Sequence, residues 1–201
     1  MTLCKSERIP FEKRKKEIAF VGRFYLPQKR QDVAVKAFQL FLLKHPDYKL
    51  VFYGDGKDLD KIKKQVKKSG IDNNVVFMGA VKNLAECLKN SKMLLITSDY
   101  EGIPNALIEG MCIGLPCIST DCSPGGARFL IQDKENGLLV PRNSPNDIAE
   151  ACSFIVEHPD IAEQYGKDAQ MITEKLSPQI IYQLWNDYLT SKIKSKNPSR
   201  I

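Results

Sequence analysis

Short apolar runs alternate along this chain with stretches whose apolar residues recur at helical spacing. "EIAFVG" (17–22) reads as a buried strand, and "QDVAVKAFQLFLLKH" (31–45) follows with Val33, Ala37, Phe38 and Phe41 on one helix face. "YKLVFYG" (48–54) is a second strand, and "DLDKIKKQVKKSG" (58–70) a lysine-rich helix closed by Gly70. "NVVFMG" (74–79) and "KMLLITS" (92–98) are strands on either side of a short helix over 82–90. A helix running from Pro104 to about Ile113, stopped by Gly114, precedes a strand over 116–121. Pro104 suits the first helical position, where its missing N–H would be unpaired anyway. Beyond "NGLLVP" (136–141), helical patterns fill 146–157, 159–175 and 178–193. Alternation this regular predicts βαβ units joined by right-handed crossovers, hence an α/β, Rossmann-like doubly wound parallel sheet. Such sheets take ligands at the carboxyl ends of their strands. The loops to read for chemistry are therefore 22–30, 54–57, 79–82, 98–105 and 120–126.

Composition adds bounds. The 201 residues are 43% apolar and 27% charged, about one globular domain's worth. No apolar run approaches the ~18 residues of a membrane span, and the N-terminus lacks a signal peptide's apolar stretch. The expected location is cytoplasmic. The six cysteines form no CxxC pair and read as small buried hydrophobes. Only Cys122, in a loop, is a candidate reactive thiol. The net charge of +6 suits an anionic partner, but the basic runs lack the interleaved aromatics that stack bases, so no nucleic acid is expected. "EKRKK" (12–16) makes residues 1–16 a basic, flexible start, 17–176 the domain, 177–193 a further helix and 194–201 a flexible tail.

Three loops carry candidate chemistry. In "GRFYLPQKR" (22–30), Gly22 ends a strand and Arg23 and Lys29 lie six apart. Arginine's planar fork and lysine's mobile charge would suit a diphosphate together, although two exposed loop cations are commonplace. "GDGKDL" (54–59) lacks the third glycine of a dinucleotide fingerprint. A tight turn accounts for Gly54, which would also let a ligand come close. In "SDYEGIPNALIEGMCIGLP" (98–116), the free amides around Asn105, Ala106 and Leu107 would open a helix toward the crevice, an anion site by its dipole. Glu101 precedes that helix and Glu109 lies inside it, spaced to meet two parts of one extended ligand. Glu101 is equally a favourable charge near a helix start, and Glu109 a surface glutamate in an otherwise apolar segment. His45 and His158 sit at helix ends without partners, and nothing points to a metal.

Together, "VGR–x5–KR", "F–x–G–x–V", "S–x2–EG–x–PN–x–L–x–E–x4–GLP" and "TD…GG…NGLLV" resemble, in order, the retaining glycosyltransferases of the large family four. The resemblance covers about residues 17–190 and implies the C-terminal, donor-binding domain, one half of a two-domain GT-B architecture. It implies a nucleotide-sugar substrate, with UDP favoured over GDP, and no cofactor or metal. By position, Arg23 and Lys29 match the cations on the donor diphosphate, and Glu101 the carboxylate touching the transferred sugar. Glu109 matches the carboxylate on the ribose, Asn105, Ala106 and Leu107 the helix start at the distal phosphate, and Val81 the region whose backbone reads the base.

Two departures stand out. The family often carries a glutamate in a G–x2–E setting after the strand at 116–120, whereas here Gly126 is followed by Arg128 and Phe129. "CSPGGAR" is similar to enzymes of bacterial capsule and surface-polysaccharide assembly. The family's N-terminal acceptor domain, which would bring the saccharide or lipid-linked acceptor, has no counterpart here. The expectation is donor binding with little transfer by the chain alone. The full-length enzyme would work at the inner face of the membrane, peripherally. Tyr182, Trp185 and Tyr188 would then face the missing half, or else pack in the core. A non-catalytic nucleotide-sugar binding module and a nucleotide-sugar epimerase of similar architecture are the alternatives.

Overall fold

The computed structural model describes residues 8–196. Among these, six strands form one sheet: β1 (Lys15–Val21), β2 (Lys49–Tyr53), β3 (Val75–Gly79), β4 (Ser91–Ile96), β5 (Cys117–Thr120) and β6 (Leu138–Val140). The helices in chain order are α1 (Leu26–Lys29), α2 (Gln31–Leu42), α3 (Leu59–Lys68), α4 (Leu84–Leu88), α5 (Asn105–Cys112), α6 (Gly126–Leu130), α7 (Pro145–Glu157), α8 (Pro159–Ala169), α9 (Ile172–Lys175) and α10 (Pro178–Lys196). The strand order is β3-β2-β1-β4-β5-β6, and every neighbouring pair is parallel. The winding reverses between β1 and β4, so the loops after these two strands diverge and leave a crevice at their carboxyl ends.

Both faces of the sheet are covered because alternate strand residues enter two separate cores. Ile18, Phe20, Leu50, Phe52, Met93 and Leu95 pack with Val33, Phe38 and Phe41 of α2, Ile62 of α3 and Ile148 of α7. Ala19, Val51, Leu94 and Ile96 pack with Leu107 and Met111 of α5, Leu130 of α6 and Ile172 of α9. The near-continuous apolar character of "IAFV" and "MLLI" follows from that two-sided burial. The strand that the apolar pattern does not predict is β6, whose three residues are too few to show a period.

Residues 8–16, expected from their charge to be flexible, are instead docked on the domain. Phe11 is buried, and Arg14 sits beneath it, donating to the carbonyls of Gly114 (2.9 Å) and Ile9 (2.8 Å). Lys92 donates to the Phe11 carbonyl at 2.7 Å and lies over its ring. Arg8 forms an ion pair with Glu163, which also accepts from the Phe11 N–H at 2.9 Å. Backbone carbonyls at the amino ends of the strands thus satisfy cations that a charge count treats as solvated; burial lowers the Arg14 guanidinium to about 10. The helical pattern over 159–175 predicts one helix; α8 and α9 divide it at Gln170 and Met171. The last helix runs on to Lys196, so the first three residues of the expected tail are helical; 1–7 and 197–201 lie outside the described residues.

Candidate functional site

The loop after β1 and the loop after β4 meet at the crevice. Gly22 directly follows β1, and a Cβ there would come within 3.3 Å of Lys29 Cδ. The bare backbone therefore lets the lysine stem cross the strand end. Lys29 lies on α1 rather than in an open loop, and its ammonium donates to Glu101. Ser98 Oγ donates to the same Glu101 oxygen at 2.7 Å. Glu101 is only 8% exposed, so a desolvated carboxylate is held by one cation and one hydroxyl. Its own N–H donates to the Ser123 carbonyl at 2.8 Å, fixing the loop after β4 to the loop after β5.

The residues supporting this pair are not apparent in the sequence. Thr97 Oγ1 lies 2.9 Å from both the Lys29 and Arg30 carbonyls and holds the α1–α2 junction over β4. Arg30, with φ 51°, pairs with Asp32 and Asp99 and donates to Asn143 at 3.0 Å. These carboxylates hold its guanidinium above its ordinary pKa. Gln31 donates to the Arg23 carbonyl at 2.9 Å. The available signal was polar Thr97 and Ser98 at the end of an apolar strand, where ligand loops begin.

Helix α5 opens onto the crevice, but one residue later than Pro104 suggested. Pro104 is the N-cap, its carbonyl accepting from Leu107 at 3.0 Å and Ile108 at 3.2 Å. Leu107 therefore spends its amide inside the helix and is fully buried, a correction to the expected trio of free amides. Asn105 and Ala106 remain at the open end. Gly114, at φ 70°, closes the helix by donating to the Met111 carbonyl at 2.9 Å. Glu109, one and a half turns in, is half-buried and has no hydrogen-bond or ion-pair partner among the described residues. Burial raises its pKa.

The remaining candidates lie along the same edge. Arg23 is exposed and stands apart from Lys29, its guanidinium 5.8 Å from the Tyr25 ring centre while Lys57 lies 4.6 Å from that ring. The three, with Phe24, line a cavity of about 490 Å³. Gly54, at φ 136°, has the Gly22 carbonyl where its Cβ would be, so the close approach of two strand ends accounts for this glycine. Val81 is partly buried against the α5-side core. The described residues hold no group of three or more His, Cys, Asp or Glu side chains able to share a metal ion.

A Rossmann-like α/β domain with charged loops gathered at its switch point is the class this fold and site define. Residues 5–171 match the family described as glycosyl transferases group 1, so the chain belongs to that enzyme family. Poly(ribitol-phosphate) alpha-N-acetylglucosaminyltransferase of Staphylococcus aureus is 30% identical over 167 residues, covering 83% of this chain and 34% of the relative. A glycosyltransferase of Haemophilus influenzae is 27% identical over 174 residues, covering 87% of this chain and 49% of its own length. The chain thus spans half or less of these curated relatives. Among solved structures, a variant of S. aureus TarM in complex with fondaparinux, alpha-GlcNAc-glycerol and UDP superposes with a TM-score of 0.83 at 28% identity, over 92% of this chain and 36% of that one. The C-terminal domain of the group 1 protein LpcC from Francisella tularensis shares the fold (TM-score 0.72, 24% identity), over 84% of this chain and 87% of that one. No helix among the described residues is long and apolar enough to cross a membrane.

Proposed function

We propose that this chain is the donor-binding half of a retaining glycosyltransferase. It takes a sugar from a nucleoside diphosphate, UDP favoured over GDP, for a saccharide or lipid-linked acceptor brought by an N-terminal half. The observation carrying this reading is the Lys29–Glu101 ion pair at the switch point, beside the open end of α5. A diphosphate arriving there would draw the Lys29 ammonium away and free the Glu101 carboxylate for the sugar's hydroxyls. Asn105 and Ala106 would offer amides to the distal phosphate, and Arg23 would swing in from the rim. Glu109, half-buried and unpartnered, is suited to accept from the ribose hydroxyls. The backbone near Val81, after β3, would meet the base.

The order of parts follows the order of strands, with base toward β3, diphosphate over β1 and β4, and sugar toward β5. Retention would follow from attack on the face the diphosphate leaves. Lys29, Arg23 and the helix amides would stabilise the departing charge electrostatically, with no metal assigned a part. The whole enzyme would work in the cytoplasm, peripherally at the membrane's inner face.

Calorimetric titration of the chain with UDP, GDP and ADP tests the reading. One nucleotide should bind, and Lys29→Ala and Glu109→Ala should each weaken it by about tenfold or more. At a hundred times its Kd the ligand should add ~2.7 kcal/mol of stability, roughly 5–10 °C in Tm for a domain of this size. A folded chain that binds none of the three, with and without its N-terminal half, would refute the reading.

A further inference from the structure

The carboxyl edge of the sheet continues past Glu101 into a second cavity, of about 550 Å³, walled by the loop after β5, the start of α6 and Arg142 after β6. That volume accommodates a pyranose ring. The wall is built onto the Glu101 loop from the side away from Lys29. The Glu101 N–H donates to the Ser123 carbonyl, Tyr100 and Ser123 form a bridge, and Arg142 donates to the Asp99 carbonyl at 3.2 Å. Gly126 lies so close to the Gly102 carbonyl that no side chain would fit between them. A sugar held at Glu101 therefore has this cavity as its next open space toward β6.

The lining carries a net charge. Its charged side chains are Asp121, Arg128 and Arg142. Arg128 grips Asp121 with both arms of its guanidinium, Nε to Oδ1 at 3.1 Å and Nη2 to Oδ2. Arg142 has no carboxylate partner among the described residues, so the cavity carries one uncompensated positive charge. Phe129, 67% exposed, supplies an apolar wall beside it, and a flat ring against the C–H face of a pyranose is favourable burial for both. Ser123 and Asp121 add a hydroxyl and acceptor oxygens to this wall, and the surplus guanidinium of Arg142 is what a charged sugar would use beyond them.

We propose that this cavity binds the carboxylate of an acidic sugar, so that the group transferred is a uronosyl residue. Arg142 pairs with the carboxylate, Phe129 packs on the ring, and Arg128 keeps Asp121 from repelling it. The inference rests on the donor-site reading given above.

The test is calorimetric titration of the chain with UDP and GDP, then with the matched pairs UDP-glucose and UDP-glucuronate, and GDP-mannose and GDP-mannuronate. For the nucleotide that binds, the acidic donor should bind at least ~fivefold more tightly than its neutral partner, a modest share of what a charged hydrogen bond supplies. The preference should shrink as salt rises and vanish in Arg142→Gln, with affinity for the bare nucleoside diphosphate unchanged. Arg128→Gln, which unmasks Asp121 while leaving Arg142 in place, should shrink it. Both arginines are surface side chains, and a thermal melt checks that the variants fold. Nucleotide binding with no preference for the acidic donor, or a preference surviving in Arg142→Gln, would overturn the inference and leave the donor site standing. Absence of any nucleotide binding would remove the donor site and this inference with it.

Discussion

Glu109 is kept half-buried with no partner among the described residues to offset its charge, and burial raises its pKa. A carboxyl whose folded pKa lies above its unfolded one binds its proton more tightly in the native state. Its ionised form therefore costs the fold above that folded pKa, and the cost fades as pH falls toward the ordinary carboxylate range. Glu109→Gln should consequently raise the Tm of the unliganded chain at pH 7, by about 1–3 °C, while weakening nucleotide binding. A melt in which it lowers Tm would mean an unrecognised partner holds the carboxylate. Glu163 behaves oppositely. Arg8 and the Phe11 N–H depress it from 4.5 to about 2, so its contribution is present above pH 4.5 and lost as pH falls toward 2. Glu163→Gln should be less stable than the parent at pH 7, and the two should converge in acid unfolding near pH 2. These side chains were legible to different degrees. Glu109 stood out as a carboxylate in an apolar helix, whereas Glu163 sits in a polar helical pattern, and its partner Arg8 lies 155 residues away in sequence.

At the scale of elements, the strand ends decide where ligands can lie. Gly22 and Gly54 directly follow β1 and β2, and the carbonyl of Gly22 occupies the space a Cβ would take on Gly54. Gly54→Ala adds a left-handed backbone strain to that collision and should cost about 2 kcal/mol or more, lowering Tm by roughly 4–8 °C. Urea unfolding would measure it. An unchanged midpoint would mean that the two loops can part freely. Most elements were legible because burial on both sheet faces gives apolar runs of strand length, and helices on each face show a 3.6-residue period. What failed was local. The docked segment 8–14 carries charges with partners distant in sequence, Arg8 at Glu163 and Arg14 at the Gly114 carbonyl, and α1 has four residues, one turn being too short for a period. Pro104 takes the cap instead of the first turn, a choice set by the bond its own carbonyl makes.

At the scale of the whole molecule, α10 departs from the economy of the rest. Ile180, Tyr182, Leu184, Trp185, Tyr188, Leu189 and Ile193 are each 44% exposed or more, an apolar surface of the kind that marks contact with another body. Of the two settings that the sequence leaves open for its aromatics, packing in this domain's core is excluded by their exposure. In the donor-half reading the N-terminal half covers them. Trp185 is the single tryptophan, so its emission should shift to the blue, and its quenching by iodide should fall, when that half is supplied in trans or by fusion. Unmoved emission in an active assembly would place α10 elsewhere. By itself the sequence determined the α/β alternation, the parallel sheet and the set of charged loops at the strand ends, because apolar periodicity and turn residues act over short distances. The tertiary structure alone decided that Lys29 reaches Glu101 while Arg23 stands apart, that Leu107 has no amide to give, and that Arg142 is left without a carboxylate beside Phe129. Those outcomes depend on which strands become neighbours, and strand order is set by the packing of two cores rather than by any local stretch of chain.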